Sequence, residues 1–298
     1  MIIENYMKKI LVLGGSGLVG SRFIDLTKGQ FTVDSPSHND LDLLNEKEIA
    51  SYLSASEAEV VINLVAITNV DNCQDEDGDK TGNVYKLNSL VPQTLAQECQ
   101  KTAKHFVHVS TDYVFDGEKI ESSYTEEDTP NPINWYGKTK RWAEEFVLEV
   151  DVGFSIVRPE MPYSAVFEKR KDFARFFLDS LKEGKEFKAI EDQRITPVYV
   201  DFAVMALAKI IEEKAGGIWH VASSDSITPF EFAKEVASQA NLDANNIIPV
   251  KFAEFNAGRK APRPHHSWMS VKKFEERFGT DILKTNKEGI TKFLQALS

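Results

Sequence analysis

Tyr136 and Lys140 lie four residues apart where a helical pattern begins. The stretch is Tyr136-Gly137-Lys138-Thr139-Lys140, leading into Trp142-Ala143-Glu144-Glu145-Phe146-Val147-Leu148. Side chains at that spacing share one helix face, so a phenol and an ammonium project together. A neighbouring ammonium favours phenolate and draws the tyrosine pKa down from about 10 toward neutrality. A phenol tuned in that way exchanges a proton with a reacting oxygen at physiological pH. A hydroxyl for the same oxygen comes from Thr111. It follows the apolar run His105-Phe106-Val107-His108-Val109, which reads as a short buried strand. Ser110-Thr111-Asp112-Tyr113-Val114-Phe115-Asp116-Gly117 then passes into a polar loop through Thr129-Pro130-Asn131-Pro132. The rest of the chain can be read as what brings a hydride donor and a substrate to this spot.

A place for the donor lies near the N-terminus. Ile10-Leu11-Val12-Leu13 reads as a buried strand and runs into Gly14-Gly15-Ser16-Gly17-Leu18-Val19-Gly20, followed by helical periodicity at Phe23, Ile24 and Leu26. Strand, glycine turn and helix in that order are the context a dinucleotide fingerprint requires. Gly15, Gly17 and Gly20 fit GxGxxG, and Gly14, Gly17 and Gly20 fit GxxGxxG. Gly14, Ser16, Gly17, Leu18 and Val19 would then face a pyrophosphate at the helix N-terminus. No Gly-Lys-Ser/Thr ending follows, which argues against a mononucleotide P-loop. The second strand, Phe31-Thr32-Val33, ends at Asp34. Asp34 is either the acid that bonds the adenosine ribose and disfavours a 2′-phosphate, or a turn aspartate before Ser35-Pro36-Ser37. Arg22 and His38 could instead serve a 2′-phosphate, so NADH and NADPH both stay open. Asp42, beside Leu43, is either an adenine contact or the N-terminal acid of the next helix. Val60-Val61-Ile62-Asn63-Leu64-Val65-Ala66 is the next buried strand, and Leu64, Val65 and Ala66 at its end would let the cofactor lie across the sheet.

The 298 residues suffice for one large domain or two smaller ones. A net charge of −11 disfavours nucleic acid as a partner, because phosphate binding needs a basic surface. No apolar run approaches the ~18 residues of a membrane helix, so no membrane partner is expected. The segment Met1-Ile2-Ile3-Glu4-Asn5-Tyr6-Met7 is too short and acidic for a secretory signal. Cys73 and Cys99 form no metal-spaced motif and suggest a reducing, cytoplasmic setting. The acidic loop from Asp71 to Asp79 reads as solvated surface rather than a metal site.

Val84 to Lys101 reads as an amphipathic helix containing Asn88, with Pro92 able to bend it. Phe154-Ser155-Ile156-Val157-Arg158-Pro159 is a further strand. Strands alternating with helices imply a Rossmann-type, doubly wound parallel sheet with helices on both faces. Residues 1–159 would form the NAD(P)-binding domain and 160–298 a smaller substrate-binding lobe, with some segments returning to the first. In that lobe Phe173 to Lys182 and Val200 to Glu213 read as helices, and Gly217-Ile218-Trp219-His220-Val221-Ala222 as a strand with a structural His220. A helix capped by Thr228, with Pro229 at its first position, comes next. Ala261-Pro262-Arg263-Pro264-His265-His266-Ser267 is an irregular basic segment, either an anion grip or a surface loop.

Taken together, these residues resemble the extended short-chain dehydrogenase/reductases, and most closely the dTDP-4-dehydrorhamnose reductase family. The matching stretches are Gly14 to Gly20, Leu41-Asp42, Asn63 with Ala66 and Thr68, Asn88, and Arg263-Pro264 to Ser267. The most specific is Ser110 to Gly117 followed by Tyr136 and Lys140. The resemblance implies an NADPH- or NADH-dependent reductase of a nucleotide-linked 4-keto-6-deoxysugar. In it Tyr136 protonates the developing alkoxide, Lys140 holds the nicotinamide ribose and tunes Tyr136, and Thr111 orients the carbonyl. Asp112 and Met161 would line the substrate site, and Arg263 would meet the pyrophosphate. A homodimer is consistent with the family; the metal-bridged dimer of parts of the family cannot be carried over residue by residue, and no metal is assigned.

Two departures qualify the resemblance. Sugar-nucleotide 4,6-dehydratases carry Asp-Glu after the equivalent threonine, whereas Asp112-Tyr113 follows Thr111, which favours simple keto reduction. Rhamnose-forming enzymes carry a Thr-Ser-Trp-like stretch after the strand ending at Arg158, whereas this chain has Pro159-Glu160-Met161-Pro162-Tyr163. A thioether in place of an aromatic ring changes the pocket wall and leaves the particular sugar open. The rival expectations are a non-catalytic, NADP-binding regulatory subunit resembling methionine adenosyltransferase beta, and a sugar-nucleotide epimerase.

Overall fold

Alternating faces of short apolar runs build the centre of the molecule. In the computed structural model, which describes residues 7–150 and 153–297, there are eight strands. They are β1 (Lys8–Leu13), β2 (Phe31–Asp34), β3 (Val60–Asn63), β4 (His105–Val109), β5 (Phe154–Pro159), β6 (Phe187–Ile190), β7 (Gly217–Val221) and β8 (Ile247–Val250). Six of them form one sheet in the order β2-β1-β3-β4-β5-β7, every pair parallel. Ile10, Val12, Ile62 and Val107 point into one apolar cluster, and Leu11, Leu13, Val61 and Phe106 into another. Both faces of the sheet are therefore buried, as parallel strands joined by helical crossovers require. Each such side chain contributes roughly 1.5–3 kcal/mol by leaving water. The segment before Met7, read above as no secretory signal, lies outside the described residues.

The crossovers are α1 (Leu18–Leu26), α2 (Glu46–Ala55), α3 (Val70–Cys73), α4 (Asn83–Tyr85), α5 (Val91–Lys101) and α6 (Trp135–Leu148). The helix expected from Val84 to Lys101 is divided. A π-helical segment, Lys86–Leu90, separates α4 from α5. Pro92 has no N–H to donate into the preceding turn, and the wider winding accommodates that loss. The segment also turns Asn88 inward. Its amide bonds both the N–H (2.8 Å) and the carbonyl (3.0 Å) of Ile67, just beyond β3.

After β5 come α7 (Phe173–Lys182), α8 (Val200–Glu213), α9 (Pro229–Ala240), α10 (Phe252–Asn256), α11 (Lys272–Phe278) and α12 (Asn286–Gln295). The chain returns to the main sheet at β7, in register with β5 from Ser155↔Gly217 to Pro159↔Val221. A second, two-stranded parallel sheet pairs β6 with β8. Neither short strand is evident from the sequence, because four residues beside charged turns carry little periodicity. The cap of α9 matches expectation, with Thr228 and Glu231 forming a reciprocal capping box and Pro229 in the first turn. His220 is buried between the Ser270 carbonyl (3.2 Å) and Arg158 (3.4 Å), a structural position. Among the described residues no helix is long and apolar enough to cross a membrane.

Candidate active site

Thr111, at the end of β4, has extended backbone and caps a 3₁₀ turn over Asp112–Val114. Its hydroxyl accepts from the Tyr113 N–H (3.2 Å) and donates to Asp112 Oδ1 (2.9 Å). The Tyr136 phenol faces the same hydroxyl, which favours its charged form. Tyr136 lies in the first turn of α6, whose N-cap Asn134 accepts from the Gly137 N–H (2.8 Å) and donates to the Pro262 carbonyl (3.0 Å). Close packing explains the glycine at 137, since a Cβ there would stand 2.2 Å from the Tyr113 carbonyl oxygen. Only a glycine lets α6 press against the Asp112–Val114 turn and bring phenol and hydroxyl together.

Lys140 is fully buried one turn later. Its amine bonds the Val109 carbonyl (2.8 Å) and His108 Nε2 (3.0 Å). Asn63 Oδ1 is taken by the Val65 N–H, so its Nδ2 faces His108 Nδ1 (3.4 Å) as donor. His108 then carries its proton on Nε2 and donates it to Lys140, which requires a neutral amine. Burial acts in the same direction and brings the Lys140 pKa down to about 7. The expected lowering of the Tyr136 pKa does not occur in the free chain. Burial of the phenol outweighs the Thr111 hydrogen bond and pushes its pKa up. In a dry site the cost of forming phenolate exceeds what a largely neutral amine returns.

The glycine turn lies at the ends of β1 and β3. Gly14 is left-handed (φ 86°), and a Cβ there would sit 3.1 Å from Leu64 and Val65. At Gly20 a Cβ would sit 2.3 Å from the Gly14 oxygen. Gly17 is the N-cap of α1 with no side-chain cap, so the first amides of α1 carry a partial positive charge toward the cleft. Ser16 and Gly17 are exposed there, while Leu18, Val19, Leu64, Val65 and Ala66 are half-buried around them. This cradle fits a dinucleotide pyrophosphate. Asp34 is exposed at the end of β2 and accepts from the Tyr52 hydroxyl (2.9 Å). Asp42, with Leu43 next to it, accepts from the Leu44 N–H (3.0 Å), whereas Asn45 caps α2; Asp42 is thus not that helix's terminal acid. Arg22 is not available to a 2′-phosphate as placed. It makes a two-pronged ion pair with Asp201 (2.6 and 2.7 Å) and a further one with Asp25 (2.9 Å).

On the other side of Tyr113 opens a cavity of about 720 Å³, lined among others by Met161, Phe187, Phe252, Arg259 and Arg263. That size and mixture suit a ligand with a flat ring and an anionic group. Arg263 bonds Asp71 (2.8 Å) and the Ala261 carbonyl (2.7 Å) from the cavity wall. The acidic loop is therefore more than solvated surface: Asp71 meets Arg263, Asp75 meets Lys260, and Asp77 meets Lys138 (3.2 Å). Among the described residues no three His, Cys, Asp or Glu side chains converge as a metal group would.

The sequence pattern of the RmlD substrate binding domain matches residues 7–298. This chain belongs to that family. It is 30% identical to the dTDP-4-dehydrorhamnose reductase of Burkholderia thailandensis, over 92% of this chain and 94% of that protein. It is 25% identical to methionine adenosyltransferase 2 subunit beta of Danio rerio, over 90% and 84%. The crystal structure of dTDP-4-dehydrorhamnose reductase from Bacillus anthracis in complex with NADP superposes with a TM-score of 0.87 at 27% identity, covering 97% of this chain and 99% of that one.

Within this RmlD-family fold, several residues at the site carry no signal that the sequence analysis used. Lys169 donates to the Ser16 carbonyl (3.1 Å) and Arg170 contacts the Thr68 hydroxyl (3.4 Å), so the segment before α7 crosses the glycine turn. A cationic run, Lys169-Arg170-Lys171, in so acidic a chain is the pattern that marks it. Arg259 joins Arg263 at the cavity. Met161, named from the sequence, is also left-handed (φ 40°), uncommon for a residue with a Cβ.

Proposed function

We propose that this chain reduces a nucleotide-linked 4-keto-6-deoxysugar with NADPH or NADH. The broad class, an NAD(P)-dependent oxidoreductase, rests on family membership over nearly the whole chain. The observation that supports the finer reading is the facing of the Thr111 and Tyr136 hydroxyls, with Tyr113 packed on Tyr136 and lining the cavity that Met161 and Arg263 share. When bound, the nicotinamide supplies the hydride. The uncapped amides of Leu18 and Val19, the Ser16–Gly17 backbone and the strand end Leu64–Ala66 would hold it. Asp34 and Asp42 are within the stretch that would meet its adenosine.

The chain's own residues then do the following. Thr111 holds the substrate carbonyl oxygen beside the Tyr136 hydroxyl, and Tyr136 gives up its proton as that oxygen gains charge. An alkoxide is a stronger base than even a buried phenolate, so the raised pKa of Tyr136 does not block the transfer. Lys140, released from His108, would bond the nicotinamide ribose and offset charge on Tyr136. Asp112 fixes the direction of the Thr111 hydroxyl. Arg263 and Arg259 would meet the diphosphate.

The test is oxidation of NADPH and of NADH with dTDP-4-keto-6-deoxyglucose and other nucleotide 4-keto-6-deoxysugars. Consumption of cofactor matched by the reduced sugar is expected. The Danio rerio relative supports a second reading, a regulatory subunit. That reading predicts no oxidation with any such sugar, and co-purification with a methionine adenosyltransferase.

A further inference from the structure

Glu160 follows β5 in the Pro159-Glu160-Met161-Pro162 stretch that departs from the rhamnose-forming pattern. It is completely buried. Its backbone is held on both sides, by the Val221 carbonyl (3.4 Å) and by the Val198 N–H (3.1 Å). One carboxyl oxygen accepts from the Ser267 hydroxyl (2.7 Å) and the other from Thr196. Ser267 also faces Asp112, Thr111 donates to Asp112 Oδ1 (2.9 Å), and the Thr111 hydroxyl faces the Tyr136 phenol. A continuous row of buried polar groups thus runs from Glu160 through Ser267, Asp112 and Thr111 to the phenol.

Among the described residues no cation pairs with either carboxyl. Arg158 is paired with Glu144 (2.6 and 2.9 Å), Arg194 with Ser226 (3.0 Å) and the Trp268 ring, Arg263 with Asp71, and Lys140 with His108 and Val109. His266, beside Ser267, accepts the Arg194 N–H (3.2 Å) on Nδ1, and burial disfavours its charged form. The remaining titratable neighbours, Tyr113 and Tyr136, are neutral phenols. Ser267 has one proton and touches both carboxyls. If it donates to one, the other must donate to it or lose the bond. Two carboxylates in one dry site do not both ionise. Asp112 Oδ2, buried without a partner, is a second place for a proton.

We propose that Glu160 and Asp112 hold one proton between them and that this proton recharges Tyr136, through Ser267 and Thr111, after the phenol has protonated the substrate. The proposal rests on the reductase reading above. In the step, the Tyr136 O–H bond breaks as an O–H forms on the carbonyl oxygen. The phenolate then takes the Thr111 proton, Thr111 takes one from Asp112, and Asp112 is resupplied from Glu160 across Ser267. Transfer runs downhill because a buried phenolate is a stronger base than a buried carboxylate. Water restores the missing proton once product has left. Glu160 is in this scheme a positioning residue, acting through others, and a carboxyl at 160 is a feature of this chain's departure.

Infrared spectroscopy of the full chain without ligand reads the pair directly, by the C=O stretch of a protonated carboxylic acid. That band is expected at neutral pH and should vanish in Glu160→Gln, whose amide keeps the bonds to Ser267 and Thr196. Glu160→Gln should also melt higher than the parent at about pH 8, with the gain fading toward about pH 4, because the pair resists ionisation only in the folded state. A purely structural glutamate would give the opposite sign. In turnover, Glu160→Gln and Ser267→Ala should lower kcat about tenfold or more, increasingly so as pH rises, with KM within about twofold. Absence of the band, or a band unchanged in both Glu160→Gln and Asp112→Asn, overturns the shared proton. A pH-independent kcat in the variants overturns the recharging. If the parent shows the band yet oxidises no cofactor with any 4-keto-6-deoxysugar nucleotide, the reductase reading and the recharging fall, and the shared proton stands.

Discussion

The two ends of the cleft are built on different principles. At the proposed cofactor end the work would be done by backbone: Gly14 to Gly20, the α1 amides and the small residues ending β3, all within short contiguous stretches. At the proposed proton end it would be done by side chains gathered from distant places. Asp112, Glu160, Thr196 and Ser267 meet in one dry cluster, and Arg263 reaches Asp71 across 192 positions. A backbone cradle tolerates many side chains but no added Cβ at its crossing points. A side-chain cluster tolerates no change of protonation or hydrogen-bonding capacity. Under the proposed function, the first would give a common cofactor grip, and the second would be where a substrate preference is rewritten.

The largest effect that would sharpen this contrast is Gly20→Ala. Its Cβ would press on the Gly14 oxygen at 2.3 Å, and neither backbone can yield cheaply. NADPH affinity should fall about a hundredfold while binding of a nucleotide sugar is kept, a difference of roughly 2.7 kcal/mol. Isothermal titration with each ligand separately checks it. Equal loss of both would mean that the two ends are not independent.

Lys140→Met probes the boundary between the ends. The Lys140 pKa is depressed to about 7 in the folded chain, so between that value and its unfolded value of 10.5 the unfolded chain binds more protons. Stability therefore rises with pH across this window, and the cost of the buried amine is full below about pH 7. Replacing it should stabilise the fold by about 1 to 3 kcal/mol at pH 7 and below, after the two lost hydrogen bonds are counted, and should destabilise it near pH 10.5, where only that loss remains. Turnover should be lost. Melting curves across pH decide it; a variant less stable at pH 6 contradicts the neutral, costly lysine.

Arg263→Ala should raise KM for a nucleotide sugar about tenfold and leave the NADPH dissociation constant unchanged. An equal shift in both would place Arg263 in the scaffold rather than the pocket. The smallest effect is Met161→Gly. Relief of a left-handed φ of 40° should offset the lost side chain and change stability by less than about 1 kcal/mol, while broadening the range of sugars accepted. A large drop in melting temperature would show that the thioether is core rather than wall.

Legibility in the sequence follows the same division. Gly14 to Gly20, the strand ends and the four-residue step from Tyr136 to Lys140 are local patterns, and the fold and the residues proposed for the site follow from them. What periodicity does not carry is burial depth and long-range pairing. The Tyr136 pKa moves up rather than down because the phenol is dry, a property set by Trp135, Tyr113 and Cys73 packing around it. Arg22 is taken by Asp201 from α8, 179 residues away, which no local motif announces. The acidic loop reads as surface until its partners, Lys260 and Arg263, fold onto it. Glu160 is visible only as an acid between two prolines after a buried strand. Its meaning appears when Ser267 is brought beside it.

The most direct test of the central claim is turnover of Tyr136→Phe beside its NADPH affinity. Converging hydroxyls at 111 and 136 that move the proton predict a loss of about 10²–10⁴-fold in kcat with the NADPH dissociation constant within about twofold of the parent. Undiminished turnover in that variant would contradict the account.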